Sequence, residues 1–156
     1  MYQQIMVPLD GSELAESVLD HVEAVAAGWK VGKITLVRVV TPLHLHGGLE
    51  SRLNPKERKH LEEDSINVAK KYLEGIVKRL RDKGIAVQSE VLFGGHVIEE
   101  LVEYAKSHGV DLIIMATHGL SGVRRLFLVN VADRLLRMTH LPVLMMCPPV
   151  SAEHDV

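Results

Sequence analysis

The sequence predicts one α/β domain spanning residues 1–156, a doubly wound parallel sheet of five strands in the order 3-2-1-4-5 with helices on both faces. Three observations carry that prediction. Apolar runs alternate with segments of helical period along the whole chain, and strands joined through helices pair in parallel by right-handed crossovers. The runs Ile5–Leu9 and Leu112–Ala116 are apolar throughout, so they need cover on both sides. No composition shift, internal repeat or low-complexity stretch divides the chain.

Each element has its own signal. The first strand, Ile5–Leu9, stops at Asp10-Gly11, and Ser12 is placed to cap a helix with Glu13 and Glu16 near its positive end. Leu14, Val18, Val22, Val25 and Trp29 then recur on one helical face. Ile34–Val40, rich in β-branched residues, is the second strand. A long amphipathic helix is predicted from Pro55 to Lys83, with Leu61, Ala69, Tyr72, Leu73, Ile76 and Leu80 inward and Gly84 past its end. The third strand is Ala86–Leu92; Gly94-Gly95 turns it into a helix carrying Val97, Ile98, Leu101, Val102 and Ala105. The fourth strand is Asp111–Ala116, followed by a loop to Asn130, a short helix Val131–Met138 and a fifth strand Pro142–Cys147. Thr41–Asn54, with its His and Gly residues, reads as a mobile surface loop.

Composition narrows the function classes. Apolar residues make up 47% of the 156, and the formal net charge is −2, so no basic excess points to nucleic acid. Aromatic residues, at 4%, offer no platform for stacking successive bases. The single cysteine, Cys147, excludes an internal disulfide and makes a reducing, cytoplasmic setting the expectation. The start, MYQQIMVPLD, lacks a basic region ahead of a long apolar run, so no secretory signal is expected. No apolar stretch approaches a membrane span.

In such a Rossmann-like sheet, ligands bind beyond the carboxyl ends of the strands where the strand order reverses. Pro8-Leu9-Asp10, Val39-Val40-Thr41 and Met115-Ala116 are therefore expected to converge, with the Ala116–Asn130 loop closing over them. Val39 can pack on a base, and Asp10 can accept hydrogen bonds from a base or sugar. Backbone N–H groups around Gly119, and at the helix start after Asn130, can face phosphate oxygens.

The segments VPLDGSELAE, THGLSGVRRLFL, VADRLLR and PVLMM resemble the universal stress protein (UspA) family over essentially the whole chain. The resemblance implies a five-stranded parallel α/β fold that commonly dimerises through its last strand. It also implies a division between nucleotide-binding and non-binding members. Binders carry glycine, two residues, glycine, nine residues, then glycine and serine or threonine. Against that pattern this chain has Ala116, Gly119 and then Val129-Asn130, so the middle glycine alone is kept. Carried over, Pro8, Leu9, Asp10 and Val39 match base and ribose contacts. Met115, Ala116, His118 and Gly119 fall in the first phosphate segment, and Val129, Asn130, Val131 and Ala132 in the second. Gly122 is a turn residue at this register. Asn130 can still cap the helix, but Val129 crowds the phosphate path and disfavours a positive φ.

Several features have plainer readings. Asp10-Gly11-Ser12 is also an ordinary turn and cap, and Arg124-Arg125, able to neutralise a polyphosphate, also suits a solvated loop. His44 and His46 have metal-like spacing but no Cys or carboxylate cluster beside them. Cys147, Met145 and Met146 suit packing in a core or dimer interface. Three functions compete: an adenine-nucleotide-binding stress or signalling protein, a dimeric interaction module without ligand, and a slow nucleotidase or kinase-like enzyme. The enzyme has least support, since the sequence shows neither a Ser/His/Asp arrangement nor a full Walker A motif. The expected ligands are ATP or another adenine nucleotide, with Mg²⁺ held through water at Asp10. The expected partner is a second copy, through Pro142 to Cys147, since an apolar edge strand needs covering.

Overall fold

The computed structural model describes residues 2–42, 53–117 and 125–147, with the backbone alone at 125–130. In chain order the elements are β1 (Gln4–Pro8), α1 (Glu13–Glu16), α2 (Leu19–Gly28), β2 (Lys33–Val40) and α3 (Pro55–Asp82). Then follow β3 (Val87–Phe93), α4 (Val97–Ser107), β4 (Leu112–Ala116), α5 (Arg125–Thr139) and β5 (Val143–Met146). The five strands form one sheet in the order β3-β2-β1-β4-β5, every neighbouring pair parallel. The predicted strand order and parallel pairing are both found.

Alternation along the strands divides the core into two layers. Ile5, Val7, Ile34 and Leu36 point to the α2–α3 face, against Val22, Leu73, Ile76 and Leu80. Met6, Val37, Ile113 and Met115 point to the other face, against Leu101, Val102, Ala105 and Leu135 of α4 and α5. Central strand β4 is buried at all five positions, which explains why its sequence is apolar without alternation. Each such side chain contributes roughly 1.5–3 kcal/mol when fully buried. Two polar residues are buried among the described ones, Thr35 and Thr117, and Thr35 is satisfied by Gln88, whose Nε2 donates to Thr35 Oγ1 at 3.1 Å. At the amino end, the Asp111 carboxylate accepts from the N–H groups of Gln3 (2.7 Å) and Gln4 (3.0 Å), tying the start of β1 to the approach to β4.

The structure departs from expectation in three elements. The first helix is two. Ser17 Oγ donates back to Leu14 O at 2.6 Å, and the Val18 N–H reaches only Ala15 O, three residues back, at 3.5 Å. That tightened turn separates α1 from α2. Trp29 leaves the inner face because α2 ends at Gly28 and Trp29 itself is extended (φ −120°, ψ 148°); it is 45% exposed and lies tilted against Tyr2 with ring centroids 5.6 Å apart. Leu61 is also 38% exposed rather than inward. Here the cause is length: 28 residues of α3 run about 42 Å, well beyond strands of about 26 Å or less. Thirdly, α5 begins at Arg125, not Val131. Arg125–Asn130 contains no Gly or Pro to stop a helix extending backwards.

Candidate functional site

The carboxyl ends of the central strands open into a cleft of about 200 Å³. β1 delivers Pro8, Leu9 and Asp10 to it; the Leu9 N–H donates to Val37 O at 2.8 Å, which extends the ladder to the cleft edge. β2 supplies Val37 and Val39 from alternate positions, and β4 supplies Met115 and Ala116. α1 contributes Leu14 and Ala15, α4 contributes Val97 and Leu101, and α5 contributes Val131. The cleft thus sits between β1 and β4, where the chain reverses its direction of winding.

Asp10 and Ser12 are the polar side chains of the described lining. Asp10 Oδ1 accepts from the Ser12 N–H at 2.8 Å and from Ser12 Oγ at 2.5 Å. Ser12 Oγ in turn accepts from the Ala15 N–H at 3.1 Å, the cap anticipated from sequence. Asp10 thus organises the turn and is the one carboxylate of the described cleft lining. Across the opening, the Gly94 N–H donates to Val40 O at 3.1 Å, and a Cβ at Gly94 would collide with the Glu100 carboxylate. A side chain at Gly94 would therefore displace the flexible Glu100 carboxylate where β3 turns into α4.

Of the twelve residues expected at the site, Pro8, Leu9, Asp10, Val39, Met115, Ala116 and Val131 line this one cleft. Ala132 does not; it is buried in the α4–α5 layer. His118 and Gly119 lie outside the described residues, as do His44, His46, Gly122 and Arg124. Val129 and Asn130 fall inside α5, beyond its first turn. The expectation that Asn130 caps this helix is thereby corrected. Helix α5 thus takes up residues Arg125 to Asn130 of the segment predicted as loop.

Sequence reasoning missed Leu14, Ala15, Val37, Val97 and Leu101 as walls. Their signal was available: each lies on the first turns of a helix that follows a strand, or one pleat from a strand end. It also missed Thr117. That hydroxyl, one residue past the cleft floor, is buried and is the only such side-chain atom without a hydrogen-bond partner among the described residues. Among the described residues no group of His, Cys, Asp and Glu could hold a metal ion, and no helix is long and apolar enough to cross a membrane.

Comparison with known proteins gives a consistent picture. The model of the universal stress protein family matches residues 1–146. Universal stress protein MJ0577 of Methanocaldococcus jannaschii is 30% identical over 155 residues, covering 92% of this chain and 94% of that protein. Its solved structure superposes with a TM-score of 0.76 over 97% of this chain and 99% of that one. Two more distant structures share the fold. One, a universal stress protein in complex with cAMP, is 19% identical, with a TM-score of 0.57 over 94% of this chain and 97% of that one. The other, from Arabidopsis thaliana with AMP bound, is 14% identical, with a TM-score of 0.60 over 93% of this chain and 91% of that one.

Proposed function

The chain belongs to the universal stress protein family, and from that premise we propose that its cleft binds an adenine nucleotide through the base and ribose more than through the phosphates. The observation that carries this is the cleft itself: apolar walls from Val37, Val39, Leu101 and Met115, with Asp10 at the mouth. Flat apolar walls suit a purine ring, and a carboxylate acceptor suits ribose hydroxyls or a base amino group. About 200 Å³ is less than the roughly 300–1,000 Å³ of a typical small-molecule pocket, so it holds a base and part of a sugar. Phosphates then lie outside it, past β4, where Ala116 and Val129 stand in place of two family glycines. The relatives with AMP and cAMP bound support a ligand of this class.

In this reading Pro8, Leu9, Asp10 and Val39 hold the base and ribose. Met115, Ala116, His118 and Gly119, with Val129, Asn130 and Val131, border the phosphates. Mg²⁺ accompanies a polyphosphate ligand, reached from Asp10 through water. The protein works in the cytoplasm as a stress-response or signalling module, a homodimer joined through its last strand, and any nucleotide hydrolysis is slow.

Calorimetric titration with ATP, ADP, AMP and cAMP tests the proposal. AMP or cAMP should bind at least as tightly as ATP, and Asp10→Ala should weaken all four. ATP binding more than about tenfold tighter than AMP, some 1.4 kcal/mol, would overturn the weakened phosphate half. Uptake of none of the four would leave the ligand-free interaction module.

A further inference from the structure

We propose that Arg38 is a positioning residue for the cleft: stacked on Tyr72, it holds the Asp10–Ser12 turn and α1 in the place where they form one wall. The proposal rests on the nucleotide reading for one of its two readouts only.

α1 is the wall with least support of its own. Its four residues include no fully buried side chain, and an isolated helix of that length has no stability in water. Leu14 and Ala15 nevertheless line the cleft, so contacts from behind must set their position. Arg38 provides one. It alternates along β2 with the cleft residues Val37 and Val39, so its side chain lies on the opposite face. There its guanidinium abuts the back of the β1–α1 turn: a Cβ built on Gly11 would stand 3.1 Å from Arg38 Nη1. Gly11 also has φ +87°, so the turn needs glycine for its conformation, and a Cβ there would press on the Arg38 guanidinium.

Tyr72 completes the arrangement. The Arg38 guanidinium carbon lies 5.1 Å from the Tyr72 ring centroid, within the range where an aromatic face attracts a cation. The Tyr72 hydroxyl donates to Glu16 Oε1 at 2.8 Å. A single α3 side chain thus holds the end of α1 directly and the turn before it through Arg38. The carboxylates of Asp10 and Glu16 both act on the Tyr72 hydroxyl, and the Arg38 charge opposes them. The cation therefore offsets two anions gathered around one short turn. Were Arg38 only a filler of the sheet face, methionine would serve there as well as arginine.

Two readouts on Arg38→Met, Arg38→Lys and Tyr72→Phe decide the matter: amide hydrogen exchange of the ligand-free protein, and AMP affinity by calorimetry. In Arg38→Met the amides of Ala15, Glu16 and Ser17 should exchange about tenfold faster while those of Val22 and Leu73 are unchanged. AMP affinity should fall about fivefold, and Arg38→Lys should restore most of both. Tyr72→Phe, which keeps the ring, should loosen the same amides. Wild-type exchange at α1 in Arg38→Met would overturn the proposal. So would acceleration spread equally over α1, Val22 and Leu73 in both Arg38→Met and Tyr72→Phe. If the wild-type protein takes up no AMP, the nucleotide reading fails, and the exchange data still decide the role of Arg38.

Discussion

Thr117 shows most plainly how one side chain can be stable in place and still unsatisfied. Its N–H donates to Met146 O at 2.7 Å, so the backbone is held, but its buried hydroxyl has no partner. An orphaned buried hydroxyl costs free energy that an apolar group of the same shape does not. Thr117→Val should therefore raise the stability of the ligand-free protein by about 1 kcal/mol, measured by urea unfolding. A loss of stability would mean that the hydroxyl is satisfied in solution. Tyr72 makes a prediction for alkaline pH. Burial first, then its hydrogen bond to Glu16, holds the phenol above its ordinary range, with Arg38 acting the other way; burial raises Tyr104 likewise. The folded state then keeps protons that the unfolded state releases above pH about 10, so stability is full below that pH and falls as pH rises through it. Tyr72→Phe should flatten part of that fall, read from unfolding curves at successive pH values. Among single residues, Asp10 was legible because a carboxylate followed by glycine at a strand end is a local signal. Arg38 was not, because Gly11 and Tyr72, which give it meaning, are brought to it by tertiary packing alone.

At the scale of elements, boundaries followed sequence wherever a local group enforces them. Asn54 accepts from the Glu57 N–H at 2.8 Å while Glu57 returns a carboxylate to the Asn54 N–H at 2.9 Å, and Pro55 opens α3 in its required conformation. Asn54→Ala should cost about 1 kcal/mol of stability by thermal or chemical unfolding. The end of α5 is less well served. His140 follows Thr139 with φ 58°, and its N–H donates to Leu136 O at 2.8 Å, a left-handed helix terminus without the glycine that suits it. His140→Gly should stabilise by about 0.5–1 kcal/mol, and no change would show that the position carries no strain. The beginning of α5 was misread for a different reason: a glycine-based motif register put a cap at Asn130, where the local residues favour helix. With Val129 inside that helix, Val129→Gly lowers helix propensity by about 0.5 kcal/mol, so any gain in ATP affinity would come against that loss. The break between α1 and α2 escaped because Leu14, Val18, Val22 and Val25 keep helical spacing across it.

The whole molecule was the most legible scale, because buried parallel strands and amphipathic crossovers leave a strong pattern, as the uninterrupted burial of β4 illustrates. What a single chain cannot read from its own pattern is what covers its edges. β5 ends the sheet beyond β4, and Met145 is 51% exposed, with Leu136 and Met138 of neighbouring α5 also exposed. An apolar parallel edge of this kind is a template for another strand. The proposed homodimer should therefore appear as a concentration-dependent dimer in ultracentrifugation, and Met145→Lys should shift it to monomer while keeping the fold. A wild-type monomer at every concentration, or a dimer indifferent to that charge, would refute the assignment.

The position of β1 in the middle of the sheet bears on how the chain is made. Its partner β2 emerges from the ribosome soon after it, but its other partner, β4, lies far along the chain; Asp111, which ties down Gln4, is 107 residues away. A nascent chain can assemble β1, β2 and β3 with α2 and α3, yet that half-sheet keeps the apolar edge of its future centre uncovered until residue 116 is synthesised. Premature termination before β4 would thus release a fragment with its stickiest strand at the rim, a substrate for chaperones and proteases rather than a smaller working protein.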